Sequence, residues 1–276
     1  MSALVQAAPS TRWRPSATIT GSIALHGAAL FGAVLGPDEW MQWAAVAVAG
    51  NQLALTALGM WPRSSLLGPN LTRLPAPAIA RGEIALTFDD GPDPEVTPQV
   101  LDMLDAHNVR ATFFCIAENA QRNPELCREI ARRGHLVENH SSGHRVTFAM
   151  LGMGGIRREI VVAQQRLAEL SGRQPRFFRP PAGLRNPLLD PVLHDLGLRL
   201  VSWTRRGYDT QRSNDAGVTR RLLRGFAAGD ILLLHDGHSA RTARGTPVVL
   251  AVLPRLIEAA HARGLRPVTL DQAIDP

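Results

Sequence analysis

The sequence predicts an α/β fold: a parallel, mostly closed sheet with helices between its strands, preceded by a pair of long apolar helices. Three observations predict it. From residue 83 onward, short apolar runs alternate with amphipathic stretches, the pattern of strand–helix repeats that build a parallel sheet. In the first sixty residues, segments 17–36 and 41–60 contain no Asp, Glu, Lys or Arg. Acids and histidines fall at the ends of the strand-like runs, where barrel enzymes place their chemistry. At 276 residues the chain can bury a full core.

The two apolar runs come first. Each is long enough for a helix to cross a hydrocarbon core of ~30 Å. The Gly-Pro-Asp-Glu segment 36–39 joins them as a polar turn, and Trp13, Trp40, Trp43 and Trp61 lie near their ends, as an interfacial aromatic belt does. Residues 1–61 are therefore expected to form a two-helix transmembrane hairpin, with helices at about 17–36 and 41–60 and with His26 in a helix–helix hydrogen bond. Arg12 and Arg14 precede the hairpin and Arg63, Arg73 and Arg81 follow it, while its turn carries only Asp38 and Glu39. The positive-inside rule then predicts a two-pass protein of the inner membrane with its C-terminal domain in the cytoplasm. Pro62, Pro69, Pro75 and Pro77 mark 62–82 as a semi-rigid linker.

The remaining domain spans 83–276. Strands are expected at 83–89, 109–115, 135–139, 176–179, 198–203, 230–235 and 266–269, and helices at 96–107, 124–133, 154–170, 187–196, 214–228 and 247–263. The helix at 154–170 shows how a face is chosen. Ile156, Ile160, Val161, Ala163, Leu167 and Leu170 form an apolar stripe, charged residues cover the other side, and Gly172 follows as a stop.

The formal charge is +6, and the chain contains no Lys, so all 30 of its non-histidine basic residues are Arg. No basic stripe interleaved with aromatics appears, which argues against nucleic-acid binding. Cys115 and Cys127 fall in a strand-like and a helical run and read as small buried apolar residues.

The chemistry concentrates in two places. Thr87-Phe88-Asp89-Asp90-Gly91 closes an apolar run with two carboxylates, and His140-Ser141-Ser142-Gly143-His144 places two histidines four residues apart. That spacing puts both imidazoles on one face of a helical turn or on one side of a tight loop. Successive strand residues point to opposite faces, so one carboxylate is expected to face a metal and the other an attacking water. Asp90, His140 and His144 make a mixed oxygen–nitrogen–nitrogen set with open positions, as catalytic zinc sites have.

With these motifs the chain resembles the polysaccharide deacetylases of carbohydrate esterase family 4, the chitooligosaccharide-deacetylase homology domain. The first family motif, TFDDG, matches residues 87–91. The second, H-[ST]-x-x-H, matches His140, Ser141 and His144. The third, R-x-P-x-G, matches Arg179, Pro181 and Gly183, and a leucine-rich strand ending in His matches 231–235. The resemblance covers roughly 81–272 and implies a distorted, incomplete (β/α) barrel of about seven strands.

It also implies roles. Asp89 is the general base, Arg179 compensates its charge, and His235 is the general acid. Asp90, His140 and His144 hold a divalent metal, by default zinc, with cobalt, nickel or manganese also fitting. Pro181, Ala182, Gly183 and Leu233 are expected against the substrate, with the backbone N–H near Ala182 at the oxyanion. The fourth motif departs from the family's D-x-x-D-W: Asp209 keeps the second acid and is expected to orient Arg179, Arg206 replaces the first acid, and Thr210 replaces the Trp. Tyr208, the only Tyr, is a candidate substitute for that aromatic wall, and Arg205 and Arg206 are candidates for meeting a phosphate or other anion. The implied reaction is hydrolysis of an N-acyl group, in the first instance acetyl, from an amino sugar in a polysaccharide or a lipid-linked glycan at the membrane. Membrane lipid is the other expected partner, and no obligate protein partner is implied. O-acetyl esterase, non-sugar amidase and non-catalytic carbohydrate binding are the alternatives.

Overall fold

The computed structural model describes residues 12–275. Eight strands form one parallel sheet: β1 (Glu83–Asp89), β2 (Thr112–Cys115), β3 (Leu136–Asn139), β4 (Phe177–Phe178), β5 (Arg199–Leu200), β6 (Arg205–Arg206), β7 (Ile231–His235) and β8 (Arg266–Pro267). The order is β5-β4-β3-β2-β1-β7-β6, with β8 pairing the start of β1. Strands β5 and β6 do not pair, so the barrel is curled but open, as the resemblance implied. The helices are α1 (Ala17–Leu35), α2 (Glu39–Gly59), α3 (Ala76–Ala80), α4 (Thr97–Ala106), α5 (Ala117–Arg122), α6 (Pro124–Arg132), α7 (Met153–Ser171), α8 (Leu189–Asp195), α9 (Asp215–Leu223), α10 (Val248–His261) and α11 (Leu270–Ile274).

All seven residues of β1 are buried. Helices cover one face and the barrel interior covers the other, so the strand reads as a nearly continuous apolar run. Its two faces still alternate. Ile84, Leu86 and Phe88 pack outward into the cluster that includes α4 and α10, while Ala85 joins the interior cluster. The same alternation sends Thr87 and Asp89 inward. In β7, Leu232 and Leu234 go outward while Ile231 and Leu233 go inward, and His235 follows them. In β4, Phe177 is interior and Phe178 exterior, so the next residue, Arg179, is interior. Period-two side-chain geometry thus gathers Asp89, Arg179 and His235 at one end of the barrel. Helix α7 buries Ile156, Ile160, Ala163 and Leu167, and Gly172 ends it at φ 73°, a left-handed conformation that glycine adopts without a Cβ clash. Cys115 and Cys127 are buried free thiols.

The N-terminal expectation needs correction. Helices α1 and α2 form where they were expected and pack as an antiparallel pair. Asn51 donates to Ser22 Oγ at 2.8 Å, and Gln52 Nε2 lies 3.2 Å from His26 Nε2. Yet α1 is the one helix among the described residues that is both long and apolar enough to span a membrane. Helix α2 fails because Glu39, Gln42, Asn51 and Gln52 dilute its apolar residues. A two-helix transmembrane hairpin is therefore not supported. The two-pass topology and the cytoplasmic assignment both depended on a second crossing, and they fall with it.

The segment 62–82 is also not a spacer. Leu67, Leu74 and Ala78 are buried, Leu71 bridges Val201 alongside β5, and the Leu74 N–H donates to the Gly229 carbonyl at 2.9 Å. Its prolines set turns and start α3, while its leucines, hidden among them, anchor the segment to the barrel. Helices α3, α5 and α11 and strand β6 escaped sequence reading; each is six residues or shorter, too short to display a period.

Candidate active site

The carboxylates and histidines meet at the C-terminal ends of β1 and β3. Asp90 does not continue the strand: its φ is 72°. This turn overrides strand alternation and brings both carboxylates to the same place, contrary to the opposite-face expectation. His140 Nε2 lies 3.3 Å from Asp90 Oδ1 and 3.8 Å from Asp89 Oδ2, and His144 Nε2 lies 3.2 Å from Asp90 Oδ1. The histidine motif is a tight loop rather than a helical turn. Ser141 and His144 both have positive φ, and the loop is fixed by Asn139 Oδ1 accepting from the Ser141 N–H and by Ser141 Oγ accepting from the His144 N–H. Non-glycine residues at positive φ are costly and cluster at functional sites. Here Asp90, Ser141, His144, Ala182, Tyr208 and His238 all adopt it. Gly91 is required for space: a Cβ there would overlap the Asp236 carboxylate.

Arg179 is fully buried beside Asp89. It donates to Asp89 Oδ1 at 2.6 Å, Thr87 Oγ1 at 2.9 Å, the Ser202 carbonyl at 2.9 Å and the Val201 carbonyl at 3.3 Å. Its guanidinium also lies 4.0 Å from the Phe114 ring centroid. Burial lowers the Arg179 pKa, and Asp89 opposes that shift.

Asp209 does not touch Arg179, contrary to expectation. It holds His235 instead: Asp209 Oδ1 lies 2.9 Å from His235 Nδ1, and Oδ2 accepts the His235 backbone N–H at 2.8 Å. Burial pushes the His235 pKa down, but the charge and hydrogen bond of Asp209 outweigh it and raise it to about 9. The raised folded-state value contributes stability that is full below the ordinary 6.5 and is lost as pH rises through about 9. If His235 acts as an acid, Asp209→Asn is expected to move the alkaline limb of the kcat profile from near 9 toward lower pH, because the protonated imidazole loses its counter-charge. A limb that stays in place would show that another group sets it.

The residues around a cavity of about 260 Å³ include Asp89, Asp90, His140, His144, Ala182, Gly183, Leu233 and His235. Pro181 is buried behind the loop and does not line it. Tyr208 does not line it either, and so does not replace the missing aromatic wall. Trp203 does, beside Thr210, Arg206 and His238. Sequence reading missed Trp203 because it precedes the fourth motif; the signal was its isolation from the four Trp of the N-terminal region. His238 Nδ1 lies 3.4 Å from Asp90 Oδ2. Asp236 is fully buried, accepts from Thr97 Oγ1 at 2.6 Å, and is raised by burial to about 7; it braces the loop instead of facing the cavity.

The candidate ligand atoms of Asp90, His140 and His144 lie within 4.8 Å of one another. Their surroundings fit a cation. Asp90 Oδ1 is buried with no hydrogen-bond partner, and His140 Nδ1 donates to the Arg179 carbonyl at 2.7 Å, which leaves Nε2 free to ligate. Burial would raise the Asp90 carboxyl, but His140 and His238 hold it well below the usual carboxylate range.

A parallel half-barrel carrying an Asp-His-His set, an arginine-paired carboxylate and an aspartate-held histidine at its strand ends defines a class, the amino-sugar N-deacetylases. The polysaccharide deacetylase family model matches residues 78–201. The chain is 32% identical to a chitooligosaccharide deacetylase of Sinorhizobium fredii, over 70% of this chain and 93% of that protein. It is also 33% identical to a peptidoglycan-N-acetylglucosamine deacetylase of Bacillus cereus, over 69% of this chain and 67% of that protein. The crystal structure of the Bc1960 peptidoglycan N-acetylglucosamine deacetylase superposes with a TM-score of 0.68 at 31% identity, over 74% of this chain and 92% of that one. The chain belongs to the polysaccharide deacetylase family, a metal-dependent family.

Proposed function

We propose that this enzyme removes the N-acetyl group from N-acetylglucosamine units of a glycan, with α1 holding it at a membrane. One observation carries the reading: Asp89 and His235 are paired in register on adjacent strands, one beside Arg179 and the other beside Asp209, at the edge of the Asp90–His140–His144 set. The relatives named above, which deacetylate peptidoglycan N-acetylglucosamine or chitooligosaccharides, support the substrate class. Exposed Ile23, Leu30, Phe31, Val34 and Leu35 on α1 support the membrane placement.

Asp90, His140 and His144 would hold a divalent metal, with zinc first for this donor set. Bound there, it would polarise the acetamide carbonyl and lower the pKa of water. Asp89 takes the proton of the attacking water, and Arg179 keeps that carboxylate in place. The Ala182 N–H faces the developing oxyanion; its neighbours Gly183 and Leu184 spend theirs on the Pro180 and Pro181 carbonyls. His235 gives its proton to the departing amine, held in the donating tautomer by Asp209. Trp203 forms the apolar wall for the acyl methyl.

The test is acetate release from N-acetylchitooligosaccharides by the full chain, with and without a chelator. Release that the chelator abolishes and added zinc restores is expected. Equal release with the chelator would remove the metal from the mechanism, and no release from any N-acetylglucosamine glycan would remove the substrate class.

A further inference from the structure

A second cavity, of about 520 Å³, adjoins the catalytic one. Ala182, Trp203 and Arg206 line both. Arg63, Arg205, Arg206, Arg221 and Arg224 line the larger cavity, and no Asp or Glu lines it. Arg205 pairs with Asp230 at 2.8 Å. Among the described residues the other four make no ion pair with a carboxylate. Aromatic faces hold some of them instead: Arg206 lies 5.3 Å from the Trp203 ring centroid and 4.9 Å from that of Tyr208, and Arg221 lies 5.6 Å from that of Tyr208. Arg206 Nε is buried without a partner. Tyr208 itself is held at φ 65° beneath these arginines.

Four cations sharing one concave surface without a counter-charge repel one another, and a multivalent anion relieves that repulsion. Guanidinium groups match phosphate oxygens in geometry as well as charge. A neutral N-acetylglucosamine chain offers them hydrogen-bond acceptors but no counter-charge. We propose that this cavity is a phosphate subsite, which receives the phosphate or diphosphate of a phosphorylated N-acyl amino sugar whose acetamide sits in the catalytic pocket. The proposal rests on the deacetylase reading and narrows its substrate. The sugar's own phosphate is favoured over a membrane phospholipid because Arg206 belongs to both cavities, so the occupant of one abuts the occupant of the other.

The test uses the full chain in detergent, with UDP-N-acetylglucosamine as the phosphorylated probe and N,N′,N″,N‴-tetraacetylchitotetraose as the neutral one. The Arg221→Ala/Arg224→Ala double variant is expected to raise KM for the phosphorylated probe by ~10-fold or more relative to its effect on the neutral one, since lost charge-assisted hydrogen bonds are worth at least that much. Inorganic pyrophosphate should compete with the phosphorylated probe in the wild type and much less in the variant. The Arg221→Lys/Arg224→Lys pair should recover part of the loss, which separates charge from misfolding. Equal KM changes for both probes, or no competition by pyrophosphate, overturn the proposal. So does loss of binding to phosphatidylglycerol vesicles, relative to phosphatidylcholine vesicles, in a variant whose KM values are unchanged; the arginines would then read a lipid surface. If the wild type releases acetate from neither probe, the deacetylase reading fails, and calorimetric binding of pyrophosphate to wild type and variant decides the subsite by itself.

Discussion

Asp89→Asn is expected to lower kcat by ~10²–10⁴-fold while the protein keeps its metal, because a positioned general base contributes about that much. The substitution preserves shape but removes both the ability to accept a proton and the charge that faces Arg179. Its neighbours are what make the prediction specific. Asp90, His140 and His144 form the ligand set without Asp89, so metal content should match the wild type. Arg179 keeps an acceptor in the amide oxygen and its bonds to Thr87, Val201 and Ser202, so the site should keep its shape at some cost in stability from the lost ion pair. Steady-state acetate release and metal analysis on the same sample read the two halves separately. A rate within ~10-fold of wild type would place the base elsewhere; lost metal would make Asp89 a ligand.

Arg179→Ala should be the most destabilising single change in the barrel, at ~3–5 kcal/mol, the usual cost of removing one partner of a buried ion pair. Arg179 is 0% exposed and Asp89 3% exposed, so water cannot replace the lost charge. The Val201 and Ser202 carbonyls lose their donor in the same step. Denaturant midpoints at constant slope measure it. A loss below ~1 kcal/mol would mean that the cavity fills with water and that the pair contributes little to the fold.

Much of this site was legible because its signals are local. An apolar run that ends in two acids, and two histidines four apart after a second run, require only short stretches of chain to be read. The seven expected strands all form; β1, β2, β3, β4 and β7 are buried throughout and read as compact runs, while β5 and β8 shrink to two residues with an exposed Arg each. What escaped reading depended on contacts between distant segments. Asp209 binds His235 across 26 residues, and no spacing rule separates that partner from Arg179. Trp203 lines the pocket because β5 ends beside it, and Tyr208 faces arginines because β6 pairs β7 there. Strand β6 is only Arg205–Arg206, whose charges give no apolar signal. Segment 62–82 looked like a linker because prolines dominate its composition, while three buried side chains decide its packing. In α2, length and absence of charge were weighed above the amides, and the amides turned the balance.

The register that pairs Asp89 with His235 makes the span across the reaction centre a backbone dimension. Neighbouring strands sit about 4.8 Å apart, held by a ladder of hydrogen bonds. The gap between proton acceptor and proton donor is therefore gauged by the sheet, as by a fixed ruler, and not by the loops that meet the glycan. The turn at 210–214, which brings Thr210 to the pocket, can change to suit a new sugar without retuning that gap.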